Sequence, residues 1–298
     1  MAVSHRTPAE AVGHGLDALP PWSLVLGGAT SIQFGAALAA TLFDDLGPAG
    51  TSLLRLGFAA LILLAAWRPR PRAYTGAQLR LAAAFGLALG AMNFTFYEAL
   101  DRIPLGVAVT IEFAGPLGIA VALSRRRLDL VWAALAALGI VLLARPGGGG
   151  ISAVGLMFVL LAAAFWAAYI LLNQRAGGVF TGGRGLAMAS VIAALVPLGP
   201  GIVGGGSQLL HPGLLATGTV VALMSSVIPY SLEVEALRRI PANVFGVLMS
   251  LEPAIAALAG FVVLGQGLGA RQLVAIALVI VASVGVTRTP ATPPPLDS

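Results

Sequence analysis

The stretch Glu98-Ala99-Leu100-Asp101-Arg102-Ile103-Pro104 recurs 137 residues later as Glu235-Ala236-Leu237-Arg238-Arg239-Ile240-Pro241, with one position changed. Val107 matches Val244 and Pro116 matches Pro253 in the same register. The chain is therefore an internal duplication. Five long apolar segments separate equivalent points of the two copies. Five is odd, so the copies enter a membrane from opposite sides. Inverted repeats of this kind are a common plan of secondary transporters, with the substrate near the midplane between the halves. A duplicated helical scaffold without transport is the alternative.

The membrane reading rests on composition. Of 298 residues 58% are hydrophobic and only 10% are charged, against about 25% charged in a soluble domain. A span of about 20 apolar residues crosses the hydrocarbon core. Ten such segments are expected, near 22–43, 47–67, 78–98, 104–123, 128–144, 152–173, 185–204, 213–235, 242–263 and 268–287. The expected fold is all-α, with ten transmembrane helices in two inverted five-helix repeats, 22–146 and 152–287. Segments 1–21 and 288–298 read as disordered cytoplasmic tails. The first apolar segment is too long for a cleavable signal, and Glu10 and Asp17 precede it.

All 17 basic residues are Arg. With a cytoplasmic N-terminus, thirteen fall inside and only Arg102, Arg145 and Arg271 outside, while Asp44-Asp45 falls in an outer loop. The positive-inside rule then puts both termini in the cytoplasm, in a multi-pass protein of the cytoplasmic (inner) membrane. The same clustering argues against nucleic acid as the partner of a chain with net charge +5.

The absent residues exclude chemistry. Without Cys there is no thiolate metal site, and without Lys there is no Walker A loop or Schiff base. His5, His14 and His211 form no metal motif. Neither an enzyme nor a cofactor or metal is expected.

Ionisable groups inside a membrane span are costly and are functional candidates by default. Glu98 and Glu235 each have an Arg four residues later, a helix-surface ion pair. Glu112 and Glu252 have no such Arg, and they lie about 12 and 16 Å into the fourth and ninth segments. Glu233 shares a helix face with Tyr230 and Ser226. These three carboxylates are candidates for proton coupling, the alternative being hydrogen-bonded glue between helices. Arg55 can snorkel, pair with a buried Glu or receive a substrate carboxylate. Gln33, Asn93 with Tyr97, Trp166 with Tyr169 and Asn173, Tyr230 and Ser250 complete a polar wall. Pro104 and Pro241 suit the first turns of helices four and nine. Pro116 and Pro253 follow 12 residues later, about 18 Å along a helix, as static kinks or as hinges. Gly86 and Gly90 form a GxxxG packing signal.

These residues resemble the threonine/homoserine exporter family, in the EamA-type branch of the drug/metabolite transporter (DMT) superfamily. The likeness runs over about residues 22–287 and is carried by Ser31-Ile32-Gln33, Met92-Asn93 with Phe96-Tyr97, Ile111-Glu112-Phe113 with Gly115-Pro116, and Trp166-Ala167 with Tyr169-Ile170. Gln174 to Gly177, Pro229 to Glu233 and Phe245 to Ala254 carry it in the second half. Glu98 departs from it, standing where a neutral residue is expected. The resemblance implies efflux of small amino acids driven by proton exchange, with alternating access. A zwitterion suits the residues. Its ammonium can meet Glu112, Glu233 or Glu252, and its carboxylate Arg55, Asn93 or Gln33. Expected partners are this small-molecule substrate, protons and the lipid bilayer, with room for a homodimer. An EamA-type exporter of another metabolite or drug, and a passive channel, are the rival readings.

Overall fold

The computed structural model describes residues 19–123, 127–144, 152–237, 239–240 and 242–287. The expected tails therefore lie outside the described residues except for 19–21, as do Arg145, Arg238 and Pro241. Every regular element is helical. In chain order they are α1 (Pro21–Ala40), α2 (Phe43–Trp67), α3 (Gly76–Leu100), α4 (Leu105–Glu112), α5 (Ala114–Leu123), α6 (Arg127–Ala144) and α7 (Ala153–Gly177). The second half continues with α8 (Arg184–Leu195), α9 (Leu198–Gly205), α10 (Pro212–Ala222), a π-helical turn (Leu223–Val227), α11 (Ile228–Leu237), α12 (Ala242–Met249), α13 (Glu252–Leu264) and α14 (Ala270–Thr287).

Local chemistry sets the helix ends. Thr75 and Gln78 form a reciprocal capping box before α3, which satisfies two N–H groups that have no partner inside the helix. The Ser152 hydroxyl accepts from the Gly155 N–H at the start of α7. Pro21 and Pro212 stand in first turns, where no N–H is needed. Gly265 closes α13 in the left-handed region, φ 65°. Asp44 and Asp45, expected in a loop, lie in a short helical turn that breaks at Gly47, φ 65°, before the main body of α2.

Among the described residues, six helices are long and apolar enough to cross a membrane, or seven if Arg184–Leu195 and Leu198–Leu210, bent by 51°, form one span. The ten expected segments are not all full-length helices, because α4 and α5 are interrupted at Phe113 and Leu128–Leu143 and Ala270–Gly285 are short. The outer surface is apolar: Leu87, Leu130, Phe261 and Val262 are all more than half exposed. Such a belt is unfavourable in water and has the character of a surface that faces lipid.

Small residues bring the helices together. Gly86 and Gly90 of α3 face Ala189 and Ala193 of α8, so closely that a methyl on Gly90 would sit 2.6 Å from the Ala193 carbonyl oxygen. The GxxxG signal is thus a packing seam between the halves. A Gly86→Val variant is expected to lose about 1–3 kcal/mol by overpacking. Gly57→Val, whose new methyl meets nothing within 4 Å, should leave stability unchanged. Thermal unfolding of both in detergent checks the contrast.

The helix-end carboxylates are spent locally. Arg102 pairs with Glu98 at 3.0 Å, and Arg239 Nε donates to Glu235 at 2.8 Å. Both pairs have i,i+4 spacing.

Candidate functional site

A cavity of about 320 Å³ lies between the two halves, at the small end of ligand cavities. Its walls come from α1, α2, α3, α4, α5, α7, α11, α12, α13 and α14. Among the sequence candidates, Gln33, Arg55, Asn93, Glu112, Trp166, Tyr169, Tyr230, Glu233 and Glu252 line it, as does Pro116. Tyr97 lies behind the wall, wholly buried. Ser250 is also buried, bonding the Gly246 carbonyl at 2.8 Å and the Ser283 hydroxyl at 2.7 Å. Asn173 is exposed and outside the cavity. It sits four residues beyond Tyr169 towards the end of α7, past the reach of the cavity wall.

The carboxylates sit at helix breaks. Pro116 has no N–H for the Glu112 carbonyl, and the helix breaks at Phe113, immediately after Glu112. In the other half the break falls at Ser250 and Leu251, and Glu252 opens α13 with Pro253 beside it in the first turn. The interruption lies within the single apolar span Val244–Leu264, as expected of a kink at Pro253. Pro104 stands just before α4, as its cap residue rather than inside its first turn. Glu112 is 8% and Glu252 4% exposed. Glu252 has both Glu112 and Glu233 as electrostatic neighbours. Tyr169 and Tyr230 are electrostatic neighbours of each other and of Glu233. Phe113 meets Trp166 edge-on, with ring centroids 5.1 Å apart.

Arg55 is the basic residue among those lining the cavity, and it is held, not snorkelling. One terminal nitrogen donates to the Tyr97 hydroxyl at 3.1 Å. The other donates to the Ser225 carbonyl at 3.0 Å. Ser225 lies in the π-helical turn, whose i→i+5 pattern changes which carbonyls are available. Ser31 fixes the same turn by donating to the Met224 carbonyl at 2.7 Å. The Arg55 Nε is buried without a partner among the described residues, and so is the Gln33 side-chain oxygen. Buried polar atoms without partners are rare in folded proteins, and here two lie at one cavity. Sequence reading did not find the Ser225 carbonyl, because a backbone acceptor leaves no residue-type signature. It also missed Phe96, Phe245 and Ser283 as wall residues.

The cavity is closed at one end. There α4 packs on α13, a methyl on Gly106 would come within 2.7 Å of the Ala257 Cα, and the Gln266 side chain accepts from the Leu105 N–H at 2.9 Å. The elements offset by 137 residues from α4 and α13, namely α12 and α5, make no comparable contact among the described residues, and Pro116, Leu117, Phe245 and Gly246 line the cavity there.

Residues 153–288 match the model of the EamA-like transporter family. The chain is similar to the threonine/homoserine exporter RhtA of Escherichia coli strain K12, 42% identical over 277 residues, 91% of this chain and 93% of the relative. It is equally similar to the threonine/homoserine exporter RhtA of Salmonella typhimurium strain LT2, with the same identity and coverage. One crystal structure shares the fold at a TM-score of 0.58 and 19% identity, covering 88% of this chain and 96% of that one.

Proposed function

This chain belongs to the threonine/homoserine exporter family of EamA-type, multi-pass membrane transporters, and we propose that it is itself a secondary exporter of small amino acids of the threonine/homoserine kind. It works by proton antiport with alternating access, across the cytoplasmic membrane, with both termini inside. The observation that carries the proposal is the cavity itself: three carboxylates and one held guanidinium, between two halves, in a space sized for a small solute.

Ten spans in two inverted repeats are part of this reading. Both ends of α4 lie 137 residues before the ends of α12. Packing is mirrored as well, for α1 lies against α11 as α7 lies against α3, and α13 against α1 as α5 against α7. Halves so related can exchange conformations. The packed α4–α13 end and the parted α12–α5 end then represent one of two states, with the exchange of these contacts moving the cavity from one face to the other. With both termini inside, the parted end faces the cytoplasm, the loading side of an exporter.

The guanidinium receives the substrate carboxylate and a cavity Glu receives the ammonium. A Glu that must release its proton before it holds the ammonium, and take one back when the ammonium leaves, links export to proton entry. Glu112, Glu233 and Glu252 are the proposed coupling residues, with Gln33, Asn93, Trp166, Tyr169 and Tyr230 lining the bound solute and Pro116 and Pro253 marking the hinges.

Counterflow in proteoliposomes tests the proposal. Vesicles loaded with unlabelled threonine are expected to take up labelled threonine, and an imposed pH gradient is expected to drive net accumulation. No exchange of threonine or homoserine by folded protein would move the assignment to another solute. Exchange without any response to the gradient would remove the antiport.

A further inference from the structure

A second hollow, of about 300 Å³, lies away from the substrate cavity, where α2 and α3 of the first half meet α8 of the second. Its lining is apolar: Leu64, Pro71, Leu79, Ala83, Met188 and Ile192 among others. Each wall carries an Arg one turn nearer its end, or next to it in the chain. Arg68 follows Leu64 by four residues and Arg80 precedes Ala83 by three. Arg184 precedes Met188 by four, and Arg70 stands between Pro69 and Pro71. All four are exposed, and Arg72 beside them is exposed too. No Asp or Glu occurs in 64–83 or 177–192. Among the described residues the contacts these arginines make are to neutral groups, Arg68 to the Ala65 carbonyl at 3.3 Å and Arg184 to the Thr181 hydroxyl at 3.2 Å. Trp67, 44% exposed, packs against Gly182 and Gly183 at the same end. An exposed Trp of this kind marks the headgroup level.

An apolar groove below, with a crown of unneutralised guanidinium groups above, has the polarity of one lipid: acyl chain in, anionic headgroup out. We propose that this groove holds an anionic phospholipid, its chain along Leu64, Leu79 and Met188 and its phosphate against Arg68, Arg70, Arg80 and Arg184. Basic pockets between transmembrane helices select anionic headgroups by the same chemistry, and guanidinium forks bind phosphate in two-point contacts. A scatter of positive-inside charge accounts for the arginines but not for the groove they surround. Because the groove joins α2 and α3 to α8, its lipid ties one half of the molecule to the other.

The test is lipid retention by the full-length protein, released from bilayer nanodiscs of equal phosphatidylglycerol and phosphatidylcholine and read by native mass spectrometry. The parent is expected to retain phosphatidylglycerol over phosphatidylcholine by about tenfold. The triple variant Arg70→Gln, Arg80→Gln, Arg184→Gln is expected to lose that preference while still carrying lipid. Ala83→Trp fills the groove with every Arg in place and is expected to lose the retained lipid; Leu79→Trp serves if Ala83→Trp does not fold. Equal retention of both lipids by the parent overturns the proposal. So does a preference that survives the triple variant, or one that survives filling of the groove, since the arginines would then be a diffuse topological signal only.

Discussion

The double variant Glu112→Gln, Glu252→Gln is expected to insert and fold as the parent does, yet to lose export driven by a pH gradient. Glutamine keeps the shape and hydrogen-bonding reach of the carboxyl but can neither release a proton nor balance a cation. Glu112 and Glu252 stand on opposite halves, each at a helix break, and each is an electrostatic neighbour of the other. A single change leaves the partner to do the same work, so the double variant carries the larger effect. A lost charge-assisted contact to the substrate ammonium is worth about 2 kcal/mol, or about a thirtyfold rise in the half-saturating threonine concentration. The loss of gradient response should exceed this and be complete, because no conservative group restores proton exchange. Accumulation at the parental rate by a folded double variant would show that the two carboxyls are interhelical glue. Loss of binding with the gradient response intact would assign the proton to Glu233.

The duplicated stretch at Glu98 and Glu235 shows how much a sequence can carry. It fixed the register of the halves, and the helix bounds of α4 and α12 fall in that register. The arginine four residues after each Glu also separates the helix-end ion pairs from the cavity carboxylates. Most of the cavity wall was legible for the same reason, since polar residues in apolar helices have few other uses. Asn173 was not, because helical periodicity gives a face but no depth. It shares the face of Trp166 and Tyr169 but projects beyond the cavity. The interruptions beside Glu112 and Glu252 were readable as kinks from Pro116 and Pro253, since each Pro lacks the N–H that a carbonyl four residues earlier would accept. The π-helical turn at Leu223–Val227 left no trace, because it is a change in hydrogen-bond register and not in residue type. Without it the partners of Arg55 could not be deduced, and its three readings stayed open.

Arg55→Gln is expected to abolish the distinction between threonine and threoninol, the amino alcohol that lacks the carboxylate. The guanidinium is fixed at two points, Tyr97 and the Ser225 carbonyl, which leaves its Nε edge without a partner at the cavity. A cation pre-organised in this way binds a carboxylate without first losing side-chain freedom. The parent should therefore prefer threonine over threoninol by about 30- to 150-fold, from the 2–3 kcal/mol of a charge-assisted pair. In Arg55→Gln the affinity for threonine falls by that factor while the affinity for threoninol, which never used the contact, stays level. Arg55→Lys keeps the charge but cannot hold both partners and present a fork, so its discrimination should be intermediate. Tyr97→Phe retains the guanidinium and removes one of its tethers. It should weaken threonine by about fivefold, the worth of one ordinary hydrogen bond near 1 kcal/mol, with maximal rate unchanged. A uniform loss for both solutes in Arg55→Gln would instead make Arg55 the counter-ion that holds Glu112 in place, its electrostatic neighbour across the cavity. The two roles make opposite demands on threoninol, and competition by that one compound against labelled threonine decides between them.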